Sequence, residues 1–323
     1  MAVTQTNIRN HYSPPFNHFR PHRMSYFLEY VWFRKHCYSR KFDLVHSSYY
    51  NLSTACLYLI KKDVPHVITV HDLIHERFDK KDSHDLESRG KILRNAQAII
   101  TVSQNTKMDL LKVYNSIDER KIHVIHHALH EQIIDTSSIT NQYLNSLFIL
   151  YVGHREGYKN FNVLLPALKE LNKTNQIQLV VVGPDLTTQE KQTITKYGVE
   201  SNIRTLGQVS DEHLALLYSK CLAFTYTSLY EGFGYPLIEA MAQGAIPIAS
   251  NVSCIPEVLG SAGLLVEPNC FQSIVREIVN LIQDNEYRLN LKNDSIKRTQ
   301  AFSIQKNIDR TKNIYKKVVS RLK

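Results

Sequence analysis

Two glutamates and two glycines lie close together in the segment SLYEGFGYPLIEAMAQG, residues 228–244. Glu231 and Glu239 are eight positions apart, and Gly232 and Gly234 lie between them. The glycines allow a tight loop, and the proline that follows suits the first turn of a helix. The free N–H groups of a helix start attract anions, while carboxylates accept hydrogen bonds from hydroxyls. This combination suits a sugar nucleotide; the alternative is an ordinary loop and helix with two solvated glutamates.

The composition is that of a globular protein large enough for two domains. The chain has 323 residues, of which 43% are hydrophobic and 21% are charged. No apolar run approaches the roughly 18 residues of a membrane span, and the first residues lack an export pattern. We therefore expect a cytoplasmic protein. The five cysteines are scattered without the spacing of a metal site, and we expect them to be reduced.

The net charge of +9 favours anionic partners in general. Charge alone does not choose among nucleotides, nucleic acids and acidic lipids. Since the sequence contains no aromatic-basic RNA motif and no zinc finger, we expect no nucleic-acid partner.

The first half of the chain alternates short apolar runs with amphipathic stretches, which predicts a parallel sheet with crossover helices. His71 and Asp72 follow one predicted strand and Ser103 follows the next. In open α/β sheets the carboxyl ends of the strands form the ligand edge, so these residues are candidates for a site. The predicted strands are Phe42–His46, His66–Val70, Ala98–Val102 and His123–His127.

The second half reads as a complete Rossmann-like unit after a polar linker from Leu129 to Asn145. The predicted strands are Leu147–Val152, Gln178–Val182, Ile203–Leu206, Leu222–Thr225 and Ile246–Ala249. Helices are predicted over Phe161–Leu171, Thr188–Tyr197, from Asp211 onward, from Pro236 to about Gly244, and over most of Ser273–Lys323.

From about Phe42 to the C-terminus, the chain resembles the retaining glycosyltransferases of family four. Five motifs carry the resemblance in order: VITVHDLIHERF, YVGHREGYKN, GQVSDEHLALLY, SLYEGFGYPLIEAMAQG and SNVSCIPEVLGSAGLLVEP. The paired glutamates spaced eight apart are the most specific of them. The resemblance implies the GT-B fold, an α/β architecture in which two Rossmann-like domains face a cleft.

The family pattern implies three parts. Residues 1–145 would form the acceptor-side domain, residues 146–300 the nucleotide-sugar-binding domain, and residues 301–323 a helix that crosses back to the first domain. The first domain departs from the pattern, because no Gly-rich loop precedes Lys41 and the first glycine is Gly90. We therefore expect this domain to lack its first strand and Gly-rich loop.

The resemblance assigns roles to the glutamate segment. Glu231 would accept hydrogen bonds from the hydroxyls of the donor sugar, and Glu239 from those of the ribose. Backbone amides would bind the rest of the donor: those of Gly232, Phe233 and Gly234 would face the sugar, and those of Leu237 and Ile238 the diphosphate.

It also assigns roles outside that segment. Lys159 and Arg155 would neutralise the phosphates in the loop that begins at Gly153, and Val209 would lie beside the base. A lysine and an arginine take the place of a metal ion in this family, so neither a metal nor a cofactor is expected. His71 would form a hydrogen bond to the sugar or the acceptor. The alternatives are a solvated loop for the two cations and a structural role for His71.

The implied reaction is transfer of a hexose, with retention, from a nucleotide diphosphate sugar to a glycan or lipid-linked acceptor. Mannose from GDP-mannose is the first candidate and a UDP-hexose the second, in the synthesis of bacterial surface polysaccharide or lipopolysaccharide. The alternative is a truncated relative or a non-catalytic subunit that binds a nucleotide sugar.

A basic and aromatic stretch, Tyr26–Tyr38, suits an amphipathic helix. Such a helix favours peripheral contact with anionic lipid at the inner face of the plasma membrane. The alternative is a helix that packs its aromatic residues on the sheet.

Overall fold

The computed structural model describes residues 43–48, 50, 64–78, 83–129 and 146–320. Three predictions concern residues outside these ranges: the lipid-binding helix Tyr26–Tyr38, most of the linker, and the missing first strand with its Gly-rich loop.

The first domain contains a parallel sheet of four described strands in the order β1-β2-β3-β4. The residues of β2 and β3 are almost all buried, as expected for parallel strands that are covered on both faces. The strands are β1 Val45–Ser47, β2 His66–Val70, β3 Ala98–Thr101 and β4 Ile122–Val124.

The predicted fourth strand is too long at its C-terminal end. Ile125 still donates its backbone N–H to the carbonyl of Thr101 at 2.9 Å, but the strand ends at Val124. The rings of His126 and His127 pack against Phe233 of the second domain instead. The two histidines therefore lie in the loop at the ligand edge of the sheet.

The second domain contains six parallel strands in the order β10-β9-β8-β5-β6-β7. This is the doubly wound order of a Rossmann fold, in which the order of the strands reverses between β5 and β8. The predicted α/β class with two parallel sheets is confirmed. The strands are β5 Phe148–Val152, β6 Gln178–Val182, β7 Ile203–Thr205, β8 Ala223–Tyr226, β9 Pro247–Ser250 and β10 Leu264–Val266. The strand β10, only three residues long, was not predicted.

Helices connect successive strands, and the side chains of capping residues determine where some of them begin. Thr187 and Glu190 form a reciprocal capping box at the start of α5, while Ser103 caps α3. The helices are α1 Ile74–Phe78, α2 Ser83–Asn95, α3 Gln104–Val113, α4 Leu164–Leu171, α5 Thr188–Tyr197, α6 Asp211–Lys220, α7 Tyr235–Ala242, α8 Ile255–Leu259, α9 Phe271–Gln283, α10 Asn285–Thr299 and α11 Ile304–Ser320. Short 3₁₀ turns lie at Glu119–Lys121, Gly157–Lys159, Phe161–Val163, Glu200–Asn202 and Gln300–Phe302.

The last helix, α11, packs on the first domain. Ile314 and Val318 are one turn apart on α11 and are buried against Val67 and Ile100 of the N-terminal sheet. Just before this helix, the Phe302 carbonyl accepts a hydrogen bond from the Leu129 backbone N–H at 2.9 Å. The C-terminal segment therefore contacts the first domain, as expected of a helix that crosses back.

In the part of the chain that the structure describes, no helix combines the length and the apolar character needed to span a bilayer.

A buried histidine in β2 predicts acid sensitivity. His66 is 1% exposed, and burial lowers its pKa from 6.5 to about 4, with His46 as a further cause. Since the unfolded chain takes up this proton more readily, stability is full above pH 6.5 and is lost as the pH falls toward 4. We expect the melting temperature to decrease from pH 7 to pH 5, and less steeply in His66→Gln.

Glutamine keeps a polar partner for Ser47 Oγ, which lies 2.7 Å from His66 Nε2. The control is His75→Gln, at an exposed position of α1. Equal pH slopes in wild type and His66→Gln, measured by differential scanning calorimetry, would refute the assignment.

Candidate active site

The site candidates meet where the strand order reverses. The β5 loop (residues 153–160) and the β8 loop (residues 227–234) leave the carboxyl ends of adjacent strands. Leu229 donates its backbone N–H to the Tyr158 carbonyl at 2.7 Å. The hydroxyl of Thr227 donates to the Lys159 carbonyl at 3.2 Å. These bonds hold the two loops together.

An ion pair joins the two loops. Lys159 Nζ lies 2.7 Å from Glu231 Oε1, and the two side chains are 24% and 10% exposed. The buried phenol of Tyr226 also bonds to Glu231; burial raises the Tyr226 pKa strongly, and the Glu231 charge adds to this. The predicted phosphate cation and the predicted hydroxyl acceptor are therefore direct neighbours.

Gly232 lies where the two domains touch. A Cβ atom placed on Gly232 would lie 1.9 Å from the His71 carbonyl oxygen, so only glycine fits there without movement. The Gly232 carbonyl accepts hydrogen bonds from Ser103 Oγ at 2.7 Å and from Thr106 Oγ1 at 3.1 Å. The candidate Ser103 thus binds the glutamate loop and also caps α3.

The next two residues fix the end of the β8 loop. Phe233 is 4% exposed, and its ring packs edge-on against His127 at 5.2 Å and Phe302 at 5.6 Å. Gly234 has a φ of 88°, which a residue with a side chain rarely adopts, and it directly precedes α7. The Phe233 ring thus faces the first domain.

The start of α7 offers fewer free amides than predicted. Leu237 already donates its N–H to the Gly234 carbonyl at 2.9 Å, and Pro236 has no N–H. The Leu237 amide is therefore already bonded within the protein, and its contact with a diphosphate stays a prediction. The side chains of Leu237 and Ile238 are buried in the core.

Glu239 lies half-buried on α7, one turn beyond the loop. Burial raises its pKa, and the nearby Asp211 at the start of α6 raises it further. It makes no hydrogen bond to any residue that the structure describes. The carboxylate is therefore available to accept a bond from a ligand hydroxyl, as the ribose role requires.

Arg155, which was predicted to neutralise phosphates together with Lys159, is bound to protein groups. Its side chain is 3% exposed and binds Glu190, with 2.6 Å between Nε and Oε1. A second bond runs from Nη2 to the Asp185 carbonyl at 2.9 Å. The guanidinium thus anchors the β5 loop to α5, because the acid of the capping box supplies a partly buried partner. The phosphate role of Arg155 stays a prediction.

The two weaker candidates, Gly153 and Val209, make contacts that stabilise the fold. Gly153 extends the sheet, since its N–H donates to the Val182 carbonyl at 2.9 Å. Val209, in the loop before α6, is partly buried against the core. Neither position by itself indicates a ligand contact.

His71 directly follows β2, on the first-domain side of the contact. Its Nε2 lies 2.8 Å from the Ser48 carbonyl, and its Nδ1 lies 3.2 Å from His127 Nε2. The backbone carbonyl of His71 is the atom that approaches Gly232. The structure therefore places His71 next to the β8 loop.

A second contact between the domains was missed by sequence reasoning. Glu257, on α8, accepts the backbone N–H of Gln104 at 2.9 Å and lies 2.7 Å from His126 Nε2. Burial would raise the Glu257 pKa, but these bonds outweigh it and lower the pKa. The first turn of α3 has no acid of its own, so Glu257 supplies the negative charge that a helix start favours. The lack of an acidic residue in the first turn of α3 was the sequence signal that could have indicated this contact.

Comparison with known proteins decides the family. The description Glycosyl transferases group 1 matches residues 133–298, and Glycosyltransferase Family 4 matches residues 2–132. The chain belongs to the group 1 glycosyltransferases. The suspected family resemblance is therefore confirmed.

The curated relatives include named mannosyltransferases. O-antigen chain mannosyltransferase B of Escherichia coli is 30% identical over 234 residues, which are 69% of this chain and 61% of that protein. O-antigen chain mannosyltransferase RfbU of Salmonella typhimurium is 29% identical over 222 residues, which are 66% of this chain and 61% of that protein. The chain thus spans less than two thirds of the length of these relatives.

Solved glycosyltransferase structures share the fold. Sucrose-phosphate synthase from Thermosynechococcus elongatus superposes with a TM-score of 0.78 at 22% identity, covering 94% of this chain and 81% of that chain. A glycosyltransferase from Rickettsia africae gives 0.77 at 21% identity, covering 94% and 84%. The predicted GT-B architecture is confirmed.

The Glu257 contact can be tested by amide exchange. The backbone N–H of Asn105 also donates to Glu257, at 3.4 Å. We expect Glu257→Ala to speed hydrogen exchange at Gln104 and Asn105, at Gln104 roughly tenfold or more, because hydrogen bonds to charged groups contribute about 1.5–3 kcal/mol. The exposed Glu267→Ala is the control. In wild type, because the Glu257 pKa is lowered, protection should be complete above its ordinary value of 4.5 and decrease below it. Unchanged exchange at both amides in Glu257→Ala would contradict the contact.

The Gly232 contact can be tested by adding one methyl group. We expect Gly232→Ala to lower the melting temperature, because overpacking costs about 1–3 kcal/mol, and to increase the radius of gyration in X-ray scattering as the domains separate. In the control Gly90→Ala, the added Cβ comes no closer than 3.1 Å, to a tyrosine side chain. A Gly232→Ala protein as stable and compact as wild type would show that the approach is not constrained.

Proposed function

We propose that this chain is a retaining hexosyltransferase that works without a metal ion. It takes a hexose from a nucleotide diphosphate sugar, with GDP-mannose as the first candidate donor. The acceptor is a glycan or a lipid-linked glycan of a bacterial surface polysaccharide. The observation that carries this proposal is the Lys159–Glu231 pair at the point where the strand order reverses, next to His71 of the facing domain.

The pair suits both halves of a sugar nucleotide. A departing nucleoside diphosphate develops negative charge, which a fixed cation stabilises without reorganising. The phosphate would compete with Glu231 for Lys159 Nζ, and the released carboxylate would accept hydrogen bonds from sugar hydroxyls. Glu239 would bind the ribose. Because Arg155 is bound to Glu190, Lys159 carries the phosphate role in this proposal.

The family resemblance supports retention as part of this proposal. The leaving phosphate would help to deprotonate the incoming hydroxyl on the same face of the sugar, while His71 donates a hydrogen bond to the sugar or the acceptor. Positioning and electrostatic stabilisation between the two domains would supply most of the catalysis. No residue is assigned as a nucleophile.

The names of the relatives support mannose as the transferred sugar. Both O-antigen relatives described above are named mannosyltransferases, at 29–30% identity. The proposal includes a cytoplasmic location with peripheral contact at the inner face of the plasma membrane, which the basic and aromatic sequence Tyr26–Tyr38 favours.

Donor binding tests the proposal directly. We expect GDP-mannose to raise the melting temperature more than UDP-glucose, UDP-galactose or UDP-GlcNAc, since a ligand that binds the native state stabilises it. Lys159→Met should reduce this shift because the phosphates lose their cation. With turnover, the anomeric configuration of the product by NMR tests retention.

The matched control is Lys173→Met, which removes an exposed lysine that is paired with Glu170. If none of the four donors stabilises the wild-type protein, or if both lysine variants respond alike, the proposed site is wrong.

The buried Arg155 favours a second candidate function. One of the two cations that the family resemblance assigns to the leaving group is bound to Glu190, which suits a non-catalytic subunit that binds a nucleotide sugar. Hydrolysis or transfer of the donor by the isolated chain would exclude this alternative.

A further inference from the structure

His71 and His127 form a stacked pair at the domain contact. Their ring centroids are 5.1 Å apart and the ring planes differ by 11°. A hydrogen bond joins His71 Nδ1 and His127 Nε2, which are 3.2 Å apart. His127 lies beyond the end of β4, so two different strands of the first domain bring the rings together.

The partners of His71 determine where its proton lies. The Ser48 carbonyl can only accept, so the His71 Nε2 at 2.8 Å from it must carry the hydrogen. In a neutral ring, Nδ1 of His71 is then a bare acceptor, and His127 Nε2 must donate to it. Burial, with nearby His71 and His126, lowers the pKa of His127 to about 4, so this ring is neutral at pH 7 and donates through one nitrogen only.

The second domain packs on His127 from the other side. The Phe233 ring lies edge-on at 5.2 Å and the Tyr235 ring at 6.3 Å. The Tyr235 hydroxyl donates to the Ala128 carbonyl at 3.2 Å. Both aromatic residues lie just after Glu231 in the chain, so the segment that would hold the donor sugar also fixes His127.

We propose that His127 is a positioning residue, which donates from Nε2 to Nδ1 of His71 and so holds His71 in the tautomer with its hydrogen on Nε2. Phe233 and Tyr235 keep His127 in this place while the two domains are in contact. The His71 N–H is thereby ready to exchange the Ser48 carbonyl for a hydroxyl of the sugar or the acceptor. That use of His71 rests on the proposed function; its tautomer does not.

The tautomer can be measured without turnover. In protein labelled with ¹⁵N-histidine, two-bond ¹⁵N–¹H NMR spectra distinguish a ring nitrogen that carries a hydrogen from one that does not. We expect the Nε2–H form of His71 in wild type, and a mixture of both forms in His127→Phe, which keeps a stacked ring but has no donor. His127→Gln, whose amide can donate from a similar position, should restore the wild-type form. His75→Gln, at an exposed position, is the control.

Turnover provides a second readout. We expect kcat for GDP-mannose hydrolysis or transfer to fall about tenfold in His127→Phe with little change in KM, because the substitution removes an orienting bond and no direct ligand contact. His127→Gln should recover most of this loss. A residue needed only for folding would lower the amount of active protein in all variants and would leave the His71 tautomer unchanged.

Two results would overturn the proposal: an unchanged His71 tautomer in His127→Phe, or equal losses of kcat in the Phe and Gln variants. If His127→Phe does not fold, Phe233→Leu takes its place, since looser packing on His127 should also produce mixed tautomers. A wild-type protein that turns over no donor refutes the proposed function, while the tautomer comparison still decides the role of His127.

Discussion

The absence of a side chain at residue 232 allows the two domains to meet at the glutamate loop. The His71 carbonyl occupies the space that a Cβ of Gly232 would fill, and Ser103 and Thr106 bind the Gly232 carbonyl. The backbone of the second domain at Gly232 is therefore bound directly by residues at the ligand edge of the first-domain sheet. Because this contact immediately follows Glu231, it sets the distance between the carboxylate and the first domain.

Other contacts support this approach with different physical forces. Glu257 contributes charge at the start of a helix, Phe233 contributes buried aromatic surface, and α11 contributes apolar packing on the N-terminal sheet. These contacts form only when the two domains are close together, because each of them joins a residue after about position 230 to a residue before position 130. The residues of the proposed chemistry thus lie on both sides of a single interface.

Much of the fold was predictable because local signals agree with it. Apolar runs such as Gln178–Val182 and the Thr187–Glu190 capping box define their elements without long-range information. Glu231 and Lys159 were identified from motifs, and the structure brings them together. The bond between Arg155 and Glu190 was not predicted, because the two residues lie 35 positions apart in the chain and no local pattern pairs them. Glu257 was missed because its partners lie in the other domain, and His127 because its partner His71 lies 56 positions away at the end of another strand.

The bonds that join the β5 and β8 loops have a mechanical consequence. Backbone and hydroxyl groups of Leu229 and Thr227 fasten one loop to the other, and both loops grow from adjacent strands of one sheet. Lys159 and Glu231 must then travel as a single rigid unit. A hinge rotation would change their distance from His71 and hardly alter their separation from each other. In the proposed reaction, the leaving group and the sugar therefore keep their positions relative to each other when the first domain moves, and the acceptor position can change without disturbing the bond that breaks.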